Sequence, residues 1–307
     1  MIVSIFDAGC KYSPHPLAVF CRRRSAGLSS LGSSTGLNTG TVLDRIVEER
    51  RADVAHRRKA VPETVLRIAV KNAEPVRDFA GALTRAQTNV IAEIKKASPS
   101  AGVLRADFDP ASLARGYEAA GAAAISVLTE EAHFQGALAH LRDVRKATSL
   151  PVLRKDFIVE PWQVWESRAA NADTLLLIVA ALSPAALQEL LALGRELGME
   201  PLVEVHTRKE LDVALAANAR IIGVNNRNLH TLEVRVDTSL DLIESIPEDC
   251  IAVSESGLRS AQDLARLRAA GFDAFLIGEH FMRETDPGAA LSCLLTGPAA
   301  SGIPTRD

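Results

Sequence analysis

Short apolar runs and longer amphipathic stretches alternate along most of the chain. From Val90 onward eight apolar runs occur, at Val90–Ile94, Ala122–Leu128, Pro151–Leu153, Thr174–Val179, Pro201–Val205, Ile221–Val224, Ile251–Val253 and Ala274–Ile277. Each precedes apolar residues at helical spacing, and the runs begin about 26 residues apart, the repeat of strand–helix units. Helix starts carry chemical marks. Asp109-Pro110 and Ser183-Pro184 set an N-cap before proline at the first helical position, and Thr207–Glu210 and Ser260–Asp263 read as capping boxes. Eight units predict an α/β fold, a single (β/α)8 TIM barrel, because a doubly wound sheet usually has fewer strands. Ahead of the first strand, Val42, Leu43, Ile46, Val47 and Val54 recur at helical spacing behind a capping-box-like Thr41 and Asp44, and a second helix follows over 62–71. The expected organisation is a barrel over 41–295 with an N-terminal helical extension.

The two ends differ from this pattern. Residues 1–40 hold one acidic residue, Asp7, four basic ones, Lys11 and Arg22 to Arg24, and a Ser/Gly-rich tract from Ser25 to Gly40. Positive charge follows the short apolar patch Leu17–Cys21 rather than preceding it, so neither a secretory nor a twin-arginine signal fits. The segment reads as a disordered or non-core extension or a misplaced start, with an organelle transit peptide as the lesser alternative. Residues 296–307, rich in Gly, Pro and Ser, read as a flexible tail.

Composition narrows the functional classes. The 307 residues are 47% hydrophobic and 24% charged, ordinary for a globular protein with a large core. With 35 Lys+Arg against 38 Asp+Glu and aromatics at 4%, the chain offers no broad basic footprint and few stacking platforms for nucleic acid. No apolar run reaches the ~18 residues of a membrane span. Cys10, Cys21, Cys250 and Cys293 form no CxxC pair, and no histidine sits in an HxxxH or HExxH arrangement, so no metal is expected. The cysteines fit a reducing, cytoplasmic compartment, with Cys250 a small hydrophobe entering a strand. No GxGxxG or GxxxxGK follows any strand, which removes the dinucleotide and Walker-type readings. No obligate protein partner is evident.

A barrel places its active site at the C-terminal strand ends. The polar residues closing the runs are Glu93, Lys95 and Lys96; Thr129; Lys155 and Asp156; Glu204 and His206; Asn225, Asn226 and Arg227; Ser254, Glu255 and Ser256; Gly278 and Glu279. Glu93 and Lys95 are two apart and share one strand face, and a charged pair inside a barrel is costly unless paired or used. Lys155 ends a strand where neighbours can tune its proton affinity for acid or Schiff-base chemistry. Glu204 interrupts an apolar strand, a poor packing choice and a good functional one. Asn225 and Arg227 alternate onto one side and suit substrate hydrogen bonding, whereas Asn226 and Asn228 read as turn residues and His206 as a solvated or capping residue. Ser256-Gly257 and Gly278-Glu279 occupy the last two loops, where barrels commonly bind phosphate. Trp162 and Trp165 read as one packed helix face.

At these residues the sequence resembles a known family. Val90-Ile91-Ala92-Glu93-Ile94-Lys95-Lys96-Ala97-Ser98-Pro99-Ser100 is similar to the first-strand signature of indole-3-glycerol phosphate synthases. Leu153-Arg154-Lys155-Asp156-Phe157, Val203-Glu204-Val205-His206, Gly223-Val224-Asn225-Asn226-Arg227-Asn228-Leu229 and Ser254-Glu255-Ser256-Gly257 extend the likeness, which spans residues 41–294. No second barrel follows in the sequence, so the fused isomerase of some relatives is not expected. The resemblance implies ring closure of 1-(2-carboxyphenylamino)-1-deoxyribulose 5-phosphate to indole-3-glycerol phosphate, with loss of CO2 and water, in tryptophan biosynthesis. It implies Lys155 as general acid at the substrate carbonyl, Glu204 as the proton-handling carboxylate, and Lys95, with Glu93 beside it, near the anthranilate carboxylate with a part in dehydration. Asn225 and Ser256 complete the implied catalytic set, while Ser98, Phe157, Arg227, Glu255, Gly257, Gly278 and Glu279 are implied to contact substrate. Some relatives carry Ser at the position of Glu279, which leaves the Gly278–Glu279 backbone as the alternative phosphate contact. The chemistry asks for acids and a base around an apolar aromatic slot, without redox cofactor or metal. The rivals are another phosphate-binding barrel enzyme such as a phosphoribosyl isomerase, a carboxylate-pair glycosidase and a non-catalytic phosphate-binding barrel; the two lysines and the glycine loops disfavour the glycosidase.

Overall fold

A computed structural model describes residues 42–228, 231 and 233–297. Eight parallel strands close into one barrel: β1 Asn89–Ile94, β2 Ala124–Leu128, β3 Val152–Lys155, β4 Thr174–Ile178, β5 Leu202–Val205, β6 Ile221–Asn225, β7 Ile251–Glu255 and β8 Ala274–Ile277, with β8 pairing back onto β1. Strand alternation sorts the side chains. Ile91, Ala124, Leu153, Leu176, Leu202, Ile221, Val253 and Ala274 point inward and fill the barrel, with Phe79 and Leu83 closing its N-terminal end. Their neighbours Val90, Ile125, Val152, Leu175, Val203, Ile222 and Phe275 point outward and pack beneath the helices. Strands buried on both faces read as unbroken apolar runs, which is why all eight stand out in the sequence.

Several strands run further than their apolar runs. β3 continues through Arg154 and Lys155, β6 through Asn225, and β7 through Ser254 and Glu255, with Leu128 opposite Lys155 and Asn225 opposite Glu255 in the ladders. Backbone pairing does not stop where side chains turn polar, so these charged groups stand on strands rather than loops. Conversely, the second strand begins at Ala124, and Val179–Ala181 forms a 3-10 turn after β4.

The helices before and around the barrel are α1 Val42–Ala60, α2 Glu63–Lys71, α3 Phe79–Leu83, α4 Pro110–Ala119, α5 Leu138–Ala147, α6 Pro161–Ala169, α7 Pro184–Glu196, α8 Arg208–Ala216, α9 Asp237–Ile243, α10 Ala261–Ala269, α11 Glu279–Arg283 and α12 Pro287–Thr296. Asp109 and Ser183 cap α4 and α7 ahead of proline, and Ser260 with Asp263 closes a capping box on α10. The box expected at Thr207 is only half made. Thr207 accepts from the Glu210 N–H, but the Glu210 carboxylate reaches the N–H and ring of His206 instead. Trp162 and Trp165 pack with Val54 and Leu66, under Arg57 and Arg67, and Trp162 Nε1 donates to the Val61 carbonyl at 2.9 Å. Cys250 is half-buried, with Sγ 3.5 Å from the Ala219 carbonyl. The expectations for residues 1–40 and for Cys10, Cys21 and Thr41 lie outside the described residues, as does most of the 296–307 tail. Among the described residues no helix is long and apolar enough to cross a membrane.

One buried ionic network ties α1 to the barrel. Asp156 is fully buried, and its Oδ2 accepts from Arg50 at 2.6 Å, from Arg154 at 2.9 Å and from the Thr129 hydroxyl. Arg154 also reaches Glu166 on α6 at 2.9 Å, and Arg57 of α1 pairs with the same carboxylate. Asp156 and Thr129 therefore belong to the joint between barrel and extension. Only the alternate residue Lys155 presents its charge to the barrel axis.

Candidate active site

The C-terminal mouth of the barrel encloses a cavity of about 580 Å³. Glu93, Lys95, Lys155, Phe157, Glu204, Asn225, Arg227, Glu255, Ser256, Gly257, Gly278 and Glu279 all line it, so twelve of the thirteen site residues implied by the resemblance meet there, with Asp156 beside them. Ser98 lies in a two-strand ribbon, Ala97–Ser98 against Gly102–Val103, and lines a smaller adjoining apolar slot with Leu43, Ile46 and Phe134. The slot draws on α1, so the N-terminal extension helps to wall the site.

Two lysines stand on different sides of the mouth. Lys155 Nζ lies 3.2 Å from Glu204 Oε2 and 3.7 Å from Glu255 Oε2, and Lys95 Nζ lies 2.9 Å from Glu93 Oε1. Burial alone would lower the proton affinity of Lys155, but the charges of Glu204, Glu255 and Glu93 outweigh it and hold the ammonium well above its ordinary pKa. Burial likewise disfavours ionised Glu204. Lys155, His206 and the Asn225 amide, which donates to Oε1 at 3.1 Å, reverse that and hold the carboxylate well below its usual range. One ammonium cannot serve two carboxylates equally. Glu255 is the more distant, its Oε1 is buried without a hydrogen-bond partner, and burial with the Glu204 charge pushes it up to about 8. At neutral pH the mouth thus holds an ionised Glu204, a charged Lys155 and a protonated Glu255.

The β6 and β7 exits are bound together. Ser256 Oγ donates to Asn225 Oδ1 at 2.8 Å, and the Arg227 N–H donates to the same oxygen at 3.0 Å. Asn226, expected to serve a turn, is buried. Its side-chain amide donates to Ser254 Oγ and to the Ser256 carbonyl, while Oδ1 accepts from Ser239. The Asn228 side chain accepts from the Thr231 N–H at 3.1 Å. Ser256 and Gly257 both adopt positive φ, 69° and 80°, and a Cβ on Gly257 would meet the Val234 side chain at 2.5 Å. The glycine is therefore required by the turn itself. Glu279 pairs with Arg227 at 3.3 Å and Arg283 at 3.0 Å.

Two further glycines make room for the carboxylates. A Cβ at Gly223 would collide with the Glu255 carboxylate, and one at Gly278 with that of Glu93. Gly223→Ala is expected to displace Glu255 and to lower kcat by about 10²-fold, the typical cost of a ~1 Å misplacement. Steady-state kinetics on the folded variant check this, and an unchanged kcat would show that the Glu255 position is immaterial.

His206 departs furthest from its sequence reading. It is half-buried, with Nδ1 hydrogen-bonded to Glu210 Oε2 at 3.1 Å and Nε2 3.3 Å from Glu204 Oε1, an ion-pair contact that is not aligned as a hydrogen bond. The available signal was its spacing, two residues after an inward-facing glutamate. Among the described residues no group of three or more His, Cys, Asp or Glu is placed to hold a metal ion.

Fold and mouth together define a (β/α)8 barrel enzyme equipped for acid–base chemistry on a small molecule. The profile of the indole-3-glycerol phosphate synthase family matches residues 43–294, and the chain belongs to that family. It is 52% identical over 258 residues to the indole-3-glycerol phosphate synthase of Laribacter hongkongensis, covering 82% of this chain and 98% of that one. It is 48% identical over 255 residues to the synthase of Burkholderia vietnamiensis, covering 82% and 97%. Among solved structures, 3-hexulose-6-phosphate synthase from Salmonella typhimurium shares the fold, at 13% identity and a TM-score of 0.55, covering 68% of this chain and 99% of that one.

Proposed function

We propose that this chain closes the indole ring of 1-(2-carboxyphenylamino)-1-deoxyribulose 5-phosphate, releasing CO2 and water and giving indole-3-glycerol phosphate for tryptophan biosynthesis. The observation that carries this reading is the mouth itself, where two lysines and three glutamates face one cavity beside an apolar slot. Lys155 donates to the substrate carbonyl oxygen as the ring carbon bearing the carboxylate attacks the carbonyl carbon. The bond to the carboxylate then breaks, and its electrons restore the aromatic ring as CO2 departs. In the final step the new hydroxyl leaves as water with a proton from an acid, Lys95 in this assignment, and a carboxylate takes the proton shed by the neighbouring methylene. Glu204 fills that second role, with Glu93 holding Lys95 in place.

Phe157 and the slot beneath α1 take the aromatic ring, and Ser98, Asn225, Arg227, Ser256 and Glu255 orient the rest of the substrate. Phosphate goes to the Ser256–Gly257 and Gly278–Glu279 backbone, because the Glu279 carboxylate is held by Arg227 and Arg283 and would repel an anion. The reaction is redox-neutral and is assigned to side chains, in a cytoplasmic enzyme with no obligate protein partner. A phosphoribosyl isomerase needs a base and an acid but not the second lysine. Incubation with the carboxyphenylamino-deoxyribulose phosphate is expected to generate indole fluorescence, and a folded protein that produces none would remove this reading.

A further inference from the structure

His206 rises from the same side of the β5 exit as Glu204, and its side chain is 9% exposed. The charged groups facing the ring are Glu204, at 3.3 Å from Nε2, and Glu210 on α8, at 3.1 Å from Nδ1. Lys155 from β3 and Glu255 from β7 stand behind Glu204 across the mouth. Glu210 is itself fixed, accepting from the His206 backbone N–H at 2.8 Å and from the Thr207 hydroxyl at 3.2 Å. Neither His206 nor Glu210 lines the substrate cavity.

We propose that His206 is a positioning residue whose imidazolium, bridging Glu204 and Glu210, holds the Glu204 carboxylate with Oε2 turned to Lys155. An imidazolium carries N–H on both ring nitrogens, and neutral imidazole on only one. Nδ1 is hydrogen-bonded to Glu210, while Nε2 lies at ion-pair distance from Glu204 without hydrogen-bond alignment, so either neutral tautomer sets a lone pair against an oxygen and only the cation is favoured at both ends. Burial lowers the affinity of the ring for its second proton, but the adjacent Glu204 and Glu210 carboxylates outweigh burial and raise its pKa to about 9. The cation is accordingly the resident form at neutral pH, and it is lost as pH rises through that value. The Asn225 amide on Oε1 and Lys155 on Oε2 complete the setting of Glu204. This inference rests on the assignment of Glu204 as the proton-handling carboxylate.

The test is the pH dependence of kcat/KM, which reports groups of the free enzyme. Wild type is expected to lose activity on the basic side as the ring deprotonates. Glu210→Gln removes one of the two anions that retain the ring proton, so this limb should move to lower pH by about one unit. His206→Gln keeps a neutral N–H donor, so the His206 step should vanish while the plateau stays within about tenfold of wild type; His206→Leu should lose about 10²-fold in kcat at nearly unchanged KM. The Glu255 carboxyl, raised to about 8, adds a step of its own, which should persist in His206→Gln. A basic limb that stays in place in Glu210→Gln, or survives intact in His206→Gln, would overturn the proposal even if His206→Leu fails to fold. Glu204→Gln separates the two readings. If it turns over like wild type, the Glu204 assignment fails; if it is inactive while the His206 and Glu210 variants keep the wild-type profile, only the present inference fails.

Discussion

Replacing Lys155 with methionine is expected to lower kcat by about 10²–10⁴-fold, or roughly 3–5 kcal/mol of barrier, while KM changes far less. Methionine keeps the length of the side chain and deletes its charge and protons. The ketone gains negative charge on oxygen as the ring closes, so an ammonium at this position stabilises the transition state more than the ground state. The neighbours of Lys155 refine that expectation. Burial opposes the charged form, but Glu204, Glu255 and Glu93 outweigh it and hold the pKa above the ordinary lysine value, so the resting group is a tightly held cation. Its first contribution is electrostatic, and proton transfer follows only when a strongly basic alkoxide develops at the carbonyl oxygen. Deleting the cation also removes the principal counter-charge of the buried Glu204 carboxylate, and Lys155→Met should take up a proton at the mouth relative to wild type. Single-turnover kinetics and a comparison of proton uptake between the two proteins check both statements. Turnover within tenfold of wild type, below the general-acid range, would show that another group protonates the carbonyl.

Asp156→Asn is expected to destabilise the fold by about 3–5 kcal/mol, because the buried guanidiniums of Arg50 and Arg154 lose their shared anion. For a domain of this size that is a fall in Tm of roughly 10 °C. Burial raises the pKa of Asp156, but Arg154, Arg50 and the Thr129 hydroxyl together lower it below its ordinary value. A carboxyl depressed in the folded state contributes stability above its unfolded pKa of ~3.9 and loses it as pH falls through the folded value. The difference between wild type and variant should therefore be full at neutral pH and shrink below about pH 4. Chemical denaturation at several pH values measures it. A constant difference across that range would mean that charge is not what the network supplies.

The barrel was legible because its strands are buried on both faces and each is followed by an amphipathic helix with a capped start. The polar mouth was legible for a related reason: Glu93 and Glu204 break apolar strands at positions where packing alone would favour a hydrophobe, and Lys95 follows directly after one. Strand ends were less so. At Lys155, Asn225 and Glu255 the side-chain pattern turns polar while the ladder continues, and side-chain polarity says nothing about backbone pairing. His206 and Asn226 escaped because their meaning depends on partners. Glu210 could have closed a box with Thr207, and Ser239 and Ser254 come from elements whose register no local pattern encodes. Asp156 was grouped with Lys155 by adjacency, whereas alternation sends the two to opposite faces and Arg50, 106 positions earlier, claims the aspartate.

The glycines beneath the carboxylates constrain how this mouth can change. Gly223 sits under Glu255 on the neighbouring strand and Gly278, just past β8, under Glu93 of β1, so a methyl group at either glycine cannot coexist with the acid in its present position. Substitution at these pairs is consequently ordered in time. Shortening the acid first leaves a tolerable gap that a larger residue can later fill, while enlarging the glycine first meets a collision. A lineage that abandons the acid can lose the glycine afterwards, and recovering the acid then requires the glycine to return before it.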